Sequence, residues 1–288
     1  MLTFIVNPAA GSGRAVKTEK LLREELARRG VEAEFLRTER PGHATDLARA
    51  AAAGEGCTGV IAVGGDGTCY EVACGLMGTA VPMGIVPAGT GNDFIKTVGI
   101  PKKPMQALEL ILKNAPRPVD VGRMNDRLFL NVSGTGFDVT VLDYTLQAKK
   151  YVKGILPYLY GLVRGIAHYK PVHLRFTADG VTEERDVLIC SIANGRYFGG
   201  GIAICPEASA DDGYFDLVVV ENRPRWMLPF YIPGLLMGRV LKFKITTHKR
   251  CSEAVIEGKD IRLNMDGEVS TLDRAEYRIL HDELRMFW

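Results

Sequence analysis

Short apolar runs alternate with amphipathic stretches along the first third of the chain. The apolar runs LTFIVN, VEAEFLRT and GVIAV are typical of strands. Residues 14–29, 44–53 and 70–77 place apolar side chains at helical spacing. This order predicts an α/β domain with a parallel sheet covered by helices on both faces. Ligands of such sheets bind at the carboxyl ends of the strands.

A different pattern begins near residue 121. Helices are predicted near 139–150 and 154–169, and the remaining apolar positions occur in short runs separated by turn residues. These runs are VHLRFTA, DVLICSIAN, GYFDLVVVE, LKFKITTH, AVIEG, IRLNM and YRIL. Closely spaced strands of this kind predict a β-rich, antiparallel, sandwich-like second domain.

Composition and charge exclude several classes of protein. Lys and Arg number 36 against 34 Asp and Glu, so the net charge of +2 argues against nucleic acid as a partner. The six cysteines form no C-x-x-C pair, which predicts reduced thiols rather than a zinc site or disulfide framework. The start MLTFIVNP does not resemble a secretory signal, and the apolar segment 226–238 is too short to span a bilayer. We therefore expect a cytoplasmic protein without a transmembrane segment.

Three glycine-rich turns follow predicted strands: NPAAGSGR, GGDGT and PAGTGND. Glycines at a strand-to-helix turn let backbone N–H groups approach a phosphate, which the helix N-terminus also attracts. The first turn has neither P-loop nor complete G-x-G-x-x-G spacing. Asp66 would repel phosphate unless a divalent cation lay between them, so it predicts a Mg²⁺ partner beside a polyphosphate. A helix-capping role for Asp66 also fits the residues.

With VDVG and LNMDGE, these turns occur in the order and spacing of the soluble diacylglycerol kinase family, which the chain resembles over essentially its whole length. The resemblance implies an N-terminal α/β domain that binds ATP and an adjoining β-rich domain. It also implies that the last strand, LRMFW, returns to the first domain. The predicted domains are then 1–121 with 281–288, and 122–280.

The resemblance also implies which residues form the sites. Those expected to line the ATP site are Asn7, Pro8, Ala9, Ala10, Gly11, Arg14, Thr38, Gly65, Asp66, Gly67, Thr68, Cys69, Tyr70, Glu71 and Thr90. Asp66, with Asp93 and Asp120 nearby, would anchor Mg²⁺ and its waters. A second, structural Mg²⁺ would bind Asp212 and the main-chain carbonyls of Phe215 and Leu217. Tyr70 departs from the family, which often has asparagine there.

The acidic turn NMDGE contains the predicted catalytic base. Phosphoryl transfer to an alcohol depends on positioning, charge neutralisation and a carboxylate that accepts the hydroxyl proton. The family pattern gives this role to Glu268. Asp266 could do the same chemistry, and the residues alone also fit the tip of a β-hairpin.

The implied activity is transfer of phosphate from ATP to diacylglycerol by an enzyme peripheral to the membrane. Kinases of phosphatidylglycerol, ceramide or sphingoid bases fit the same motifs. NAD kinase shares the G-G-D-G signature, and a non-catalytic lipid-binding relative is a further alternative. The apolar segments 151–169 and 225–243 fit either buried helices or a surface that docks on a membrane. The oligomeric state, including a homodimer, stays open.

Overall fold

The computed structural model describes residues 1–152 and 156–288, so the predicted helix start at residue 154 lies outside the described residues. The chain divides into two compact units. The first comprises 1–121, 210–212 and 280–288, and the second comprises 122–209 and 213–279. The sequence-based division assigned 210–212 to the second domain. The backbone N–H of Asp120 donates to the carbonyl of Ala210 at 2.7 Å, which ties this segment to the first unit.

The first unit alternates strands with helices. Its elements are β1 (Leu2–Val6), α1 (Arg14–Arg28), β2 (Ala33–Arg37), α2 (His43–Ala53), β3 (Gly59–Gly64), α3 (Asp66–Leu76), β4 (Met83–Pro87), α4 (Asp93–Thr97), α5 (Pro104–Lys113) and the start of β5 (Arg117–Met124). The first four strands pair in parallel in the order β2-β1-β3-β4. Met286, near the C-terminus, pairs in parallel with Met83 of β4.

The central strands of the first unit are buried along their whole length. Every residue of β1, β3 and β4 is buried, as expected for parallel strands with helices on both faces. One element differs from the sequence-based prediction, because α3 begins at Asp66 rather than at residue 70. Gly65 is extended and Asp66 already forms the first helical turn, where a negative charge favours the helix dipole.

The second unit is dominated by antiparallel strands. Its elements are the end of β5, β6 (Arg127–Phe129), β7 (Val132–Gly136), α6 (Phe137–Lys149), α7 (Leu156–His168), β8 (Val172–Ala178), β9 (Val181–Ala193), β10 (Tyr197–Phe198), β11 (Ile202–Ala203), β12 (Phe215–Glu221), α8 (Leu228–Leu236), β13 (Thr246–Cys251), β14 (Glu253–Met265) and β15 (Glu268–Met286), whose last residues belong to the first unit. The strand order is β13-β12-β9-β7-β14-β15, and β8 pairs with both β9 and β14.

Two predicted strands of the second unit differ in extent. The runs AVIEG and IRLNM form one strand, β14, with an irregular register between Glu257 and Ile261. The run LKFKITTH is a strand only from Thr246, because residues 240–242 form a 3₁₀ turn.

The central strand β12 of the second unit is buried on both faces. Leu217 and Val219 of β12 pack into one hydrophobic cluster, whereas Val218 and Val220 pack into another beside α8. Alternate side chains of a strand point to opposite faces, so β12 contributes to both cores. No helix within the described residues is both long and apolar enough to cross a membrane.

Candidate active site

The first glycine-rich turn connects β1 to α1. Asn7 follows β1, and its side chain both accepts from the N–H of Ala9 and donates to the hydroxyl of Thr68 at 3.1 Å. Gly11 has a φ of +59°, and a Cβ there would collide with the carbonyl oxygen of Ala88. Only glycine fits such a left-handed, crowded position. The turn is therefore held against the second and third turns by close backbone packing.

The second and third turns follow the neighbouring strands β3 and β4. The backbone N–H groups of Ala88 and Gly89 both donate to the carbonyl of Gly64, at 2.7 and 2.8 Å. A Cβ on Gly89 would collide with the Cα of Gly65. The guanidinium of Arg14 donates to the carbonyl of Gly89 at 2.6 Å. All three turns consequently meet at one edge of the sheet.

Asp66 lies where these turns meet. Its Oδ1 accepts from the backbone N–H groups of Asp93 at 2.7 Å and Phe94 at 3.3 Å, at the start of α4. The carboxylate thus caps a helix, although the helix is the one after the third turn rather than its own. Burial, together with the negative charge of Asp93, raises the pKa of Asp66 above its ordinary value. This surplus of negative charge is suited to a divalent cation.

Several residues predicted for the nucleotide site have side chains engaged elsewhere. The carboxylate of Glu71 accepts from the N–H groups of Gly42 at 2.9 Å and Ala44 at 3.0 Å, so it caps α2. Cys69 is buried, and burial raises the pKa of its thiol well above the ordinary value. The hydroxyl of Thr68 is buried and bonded to Asn7. These side chains support the turn that carries Asp66.

The remaining predicted residues lie in or beside the turns. Pro8, Ala9 and Ala10 follow β1, and Gly65 and Gly67 flank Asp66. Tyr70 is partly exposed on α3, and Thr90 is exposed in the third turn. Thr38 follows β2, and its N–H donates to the carbonyl of Val6 at 2.9 Å.

Asp120 belongs to a second group of acidic residues within the first unit. It is fully buried in β5, and it accepts from Nδ1 of His281 at 2.7 Å and from the N–H of Asp282 at 3.2 Å. The carboxylate of Asp120 raises the pKa of His281, and Asp212 adds to this effect. Asp120, His281 and Asp282 together present ligand atoms that could hold a metal ion. Asp212 belongs to the first unit, whereas Phe215 and Leu217 belong to the second.

The predicted base lies at the tip of the hairpin formed by β14 and β15. Asp266 and Gly267 form the two-residue turn with φ values of +48° and +99°, as in a type I′ turn. The carboxylate of Asp266 accepts from three consecutive N–H groups, those of Leu130 at 2.6 Å and of Asn131 and Val132 at 3.1 Å.

The carboxylate of Asp266 therefore anchors the tip of the hairpin. Glu268 is the other acid of the turn, with a side chain that is 67% exposed and paired with Arg127. The sequence analysis did not identify Arg127 as a partner of Glu268. Glu268 thus keeps a carboxylate accessible on a backbone that Asp266 fixes.

Asp138 is a buried acid that the sequence analysis missed. It opens α6 directly after the turn at Gly136, where a Cβ would collide with the carbonyl of Leu188. Its Oδ1 has no hydrogen-bond partner among the described residues, and burial raises its pKa to about 6, although Asn264 donates to the carboxyl group. The segment SGTGFD spans the end of β7 and the start of α6. It repeats the strand, glycine, acid and helix order of the other turns, which is the signal that could have found Asp138.

Both parts of the chain match models of known protein families. Residues 1–124 match the model of the diacylglycerol kinase catalytic domain, and residues 131–287 match that of the YegS C-terminal NAD kinase beta sandwich-like domain. The class is therefore that of a two-domain kinase.

Individual relatives lead to the same family. The chain is 30% identical over 275 residues to "Diacylglycerol kinase" of Mycobacterium tuberculosis, covering 93% of this chain and 88% of the relative. It is 38% identical over 167 residues to "Probable lipid kinase YegS-like" of Pseudomonas putida, covering 57% of this chain and 56% of that protein. A crystal structure of a diacylglycerol kinase from Bacillus anthracis is similar with a TM-score of 0.77 at 25% identity, covering all of this chain and 96% of that one. This chain belongs to the diacylglycerol kinase and YegS-like family of lipid kinases, which are phosphotransferases.

Proposed function

We propose that this lipid kinase transfers the γ-phosphoryl group of ATP to the hydroxyl of diacylglycerol, giving phosphatidic acid. The family implies ATP as the phosphate donor. The observation that carries the proposal is the half-buried carboxylate of Asp66 at the point where three glycine-rich turns meet. Turns of this kind expose backbone N–H groups to phosphate, and an acid beside a bound phosphate needs a cation to offset their repulsion.

The residues of the first unit fit a Mg²⁺ ion beside the phosphates. Burial and the charge of Asp93 raise the pKa of Asp66, so a cation would relieve an unfavourable charge there. Mg²⁺ would neutralise the charge of the phosphate oxygens during transfer. Asp66 would hold the ion and its waters, with Asp93 and Asp120 as further acids. Asn7 and Arg14 would keep the three turns together rather than contact the phosphate through their bonded atoms.

Glu268 is proposed to accept the proton of the lipid hydroxyl. The hydroxyl oxygen forms a bond to the γ-phosphorus, the bond from that phosphorus to the bridging oxygen of ADP breaks, and the proton passes to the Glu268 carboxylate. The exposed carboxylate is free to receive a substrate, and its pairing with Arg127 orients it. Asp266 is excluded from this role in our proposal because three backbone N–H groups occupy its oxygens.

A structural Mg²⁺ held by Asp212 and by the carbonyls of Phe215 and Leu217 remains part of the proposal. Carbonyl and carboxylate oxygens are the ligands that this ion prefers. The closeness of Asp212 to His281, seen in the raised pKa of that histidine, supports an acidic environment around Asp212.

Diacylglycerol is the proposed acceptor because a relative that is 30% identical over 93% of this chain carries that name. The relatives named YegS-like leave other lipid alcohols open. In either case the acceptor is presented at a membrane surface, and we propose that the enzyme acts there as a peripheral protein.

The test is transfer of labelled γ-phosphate from ATP, with Mg²⁺, to dispersed diacylglycerol, phosphatidylglycerol, ceramide, sphingosine and soluble NAD. We expect label on diacylglycerol. Label on another lipid alone would replace the acceptor, label on NAD alone would contradict lipid transfer, and label on none would support a non-catalytic lipid-binding role.

Two variants control this assay. Asp66→Asn should give no label, because the amide keeps the size of the side chain but removes its charge. Asp46→Asn changes an exposed acid of the same unit, paired with Arg40, and should transfer label as the unaltered protein does.

A further inference from the structure

The outer face of α8 carries large apolar side chains that the fold does not bury. Trp226 and Phe230 are 70% and 76% exposed, and Met237 is 59% exposed. Exposed positions recur at helical spacing from the 3₁₀ turn that contains Trp226, directly before α8, to the residue after α8. We call them the stripe, which comprises Trp226, Pro229, Phe230, Pro233, Leu236 and Met237. A stripe of this kind on a folded domain marks a surface that contacts something apolar.

The inner face of the same helix already accounts for its contribution to the core. Leu228, Ile232 and Leu235 are buried and line a small apolar cavity together with Phe137 and Val240. The helix is therefore apolar all round, although only one side faces the core. Folding of the second unit explains the inner residues and leaves the outer stripe unexplained.

The segment that carries the stripe has charged side chains of only one sign. Residues 222–252 contain no Asp or Glu. Their cations are Arg223, Arg225, Arg239, Lys242, Lys244, Lys249 and Arg250. Arg239, Lys242 and Lys244 are exposed and form no salt bridge with any residue in 1–152 or 156–288. These three are available to an anionic partner.

A second exposed apolar stripe lies on α7. Leu156, Leu159, Tyr160 and Val163 are exposed at helical spacing, and Val163 is 65% exposed. Residues 144–178 also contain no acid. The guanidinium of Arg225 donates to the carbonyls of Ala167 at 3.2 Å and Tyr169 at 2.7 Å. The end of α7 and the start of the α8 segment are thereby joined.

We propose that the stripe and the cations that follow it, within residues 226–244, dock on an anionic lipid bilayer. Trp226 and Phe230 insert at the boundary between headgroups and acyl chains, and Arg239, Lys242 and Lys244 contact anionic headgroups. Aromatic residues with a cationic rim are the composition of interfacial helices. This inference rests on the proposed function in one respect: a kinase of membrane lipids must reach its acceptor, and docking would bring it to the membrane.

The charge pattern favours a bilayer over a second copy of the chain. In a two-fold symmetric dimer the same patch would face itself, and its unpaired cations would then repel one another. An anionic bilayer instead attracts each cation, while the aromatic side chains gain an apolar environment.

Tryptophan fluorescence provides a direct test, because the chain has only two tryptophans, Trp226 and Trp288. The variant Trp288→Phe leaves Trp226 as the single reporter. On adding vesicles of phosphatidylcholine with about one-third phosphatidylglycerol, a proportion chosen to give a negative surface potential, we expect a blue shift of its emission. Acyl chains brominated near the headgroup should quench it. Unchanged, unquenched emission from vesicle-bound protein would overturn the proposal.

Vesicle sedimentation tests the energetic contribution of the stripe. The double variant Trp226→Ser with Phe230→Ser should bind these vesicles at least about tenfold more weakly, since each side chain loses its apolar environment. Replacing Arg239, Lys242 and Lys244 by glutamine should weaken binding by about fivefold for each cation removed. The matched control is Val181→Ser, an apolar residue of the same unit that is 58% exposed, and it should bind normally.

Two results of these experiments would overturn the proposal. The first is normal vesicle binding by the double variant. The second is a concentration-dependent dimer, without lipid, that the double variant abolishes, because the stripe would then cover a second copy. Circular dichroism of each variant verifies that its fold is retained.

A separate assay distinguishes failure of docking from failure of the proposed function. Vesicle binding is measured without ATP or diacylglycerol, and transfer is measured with short-chain diacylglycerol in detergent. Detergent activity with vesicle binding that is unaffected by the double variant would refute the docking surface and leave the kinase. Stripe-dependent vesicle binding without transfer to any acceptor would refute the proposed function and leave the docking surface.

Discussion

Asp66 in the first unit and Asp266 in the second are held in the same way, by consecutive backbone N–H groups that follow a neighbouring turn or strand. Their surroundings differ. Asp66 is mostly shielded from solvent and lies near a second acid, which raises its pKa, whereas Asp266 fixes a tip whose next acid, Glu268, is exposed. The same anchoring thus serves two purposes. In the first unit it positions the carboxylate that we propose for metal binding, and in the second it fixes the backbone that carries the proposed base.

The comparison predicts the largest loss of activity at Asp66. In Asp66→Asn the amide oxygen still accepts from Asp93 and Phe94, but the negative charge is gone. We expect kcat to fall by about 10³-fold or more, since charge neutralisation by the metal supplies several kcal/mol. The Mg²⁺ concentration that gives half-maximal activity should rise. Near-normal turnover with normal Mg²⁺ dependence would exclude Asp66 from metal binding.

A smaller loss is predicted for Glu268→Gln. The glutamine keeps a hydrogen bond to Arg127 but cannot accept a proton, so kcat should fall by about 10²-fold with little change in KM for ATP. The rate of transfer to diacylglycerol as a function of pH is the measurement, because the limb that reports the base should disappear. A matched control is Glu276→Gln on the same strand, which should leave the rate unchanged. An unaltered rate in Glu268→Gln would move the base role elsewhere.

The contrast between the two regions also shows what the sequence could predict. Apolar periodicity located β1, β3 and β4 well, because buried parallel strands are nearly continuous apolar runs. Motif resemblance identified the family, and the comparisons confirm it. The acidic hairpin was anticipated only as one alternative, although its two left-handed residues are typical of an Asp-Gly turn.

What the sequence could not predict depends on contacts between distant residues. Glu71 looked like part of a nucleotide motif, yet it caps α2 through N–H groups almost thirty residues earlier in the chain. The hydrogen bonds from Leu130, Asn131 and Val132 to the carboxylate of Asp266 join residues more than 130 positions apart in the sequence. Such partners are set by tertiary packing, which local pattern does not encode.

Removing the anchor of the hairpin should cost stability rather than chemistry. Asp266→Ala leaves three N–H groups without their acceptor, so the free energy of unfolding should fall by about 2–3 kcal/mol. Denaturant unfolding measures this change. Asp260→Ala, at another left-handed position of the same hairpin, is the control for the loss of an exposed acid. If Asp266→Ala lowered kcat severalfold without loss of stability, Asp266 would have a direct role in transfer.

The smallest predicted effect concerns Asp138, the acid that opens α6, and it appears as a dependence of stability on pH. Burial raises its pKa in the folded protein to about 6, from an ordinary value of 3.8. Between these two values the folded state binds more protons than the unfolded state, so this carboxyl makes stability fall as pH rises from about 4 to about 6. Above that range the ionised carboxyl lowers the free energy of unfolding by an amount that no longer changes with pH.

Asp138→Asn removes this titration while keeping the size of the side chain. The difference in the free energy of unfolding between variant and unaltered protein should therefore change by about 2 kcal/mol between pH 4 and pH 7, in favour of the variant at pH 7. Urea titrations of both proteins across this range provide the measurement, and taking the difference cancels the other acids. A difference that does not vary with pH would show that Asp138 has the same pKa in the folded and the unfolded protein. In that event the surroundings of its carboxylate must offset the effect of burial on the charged form.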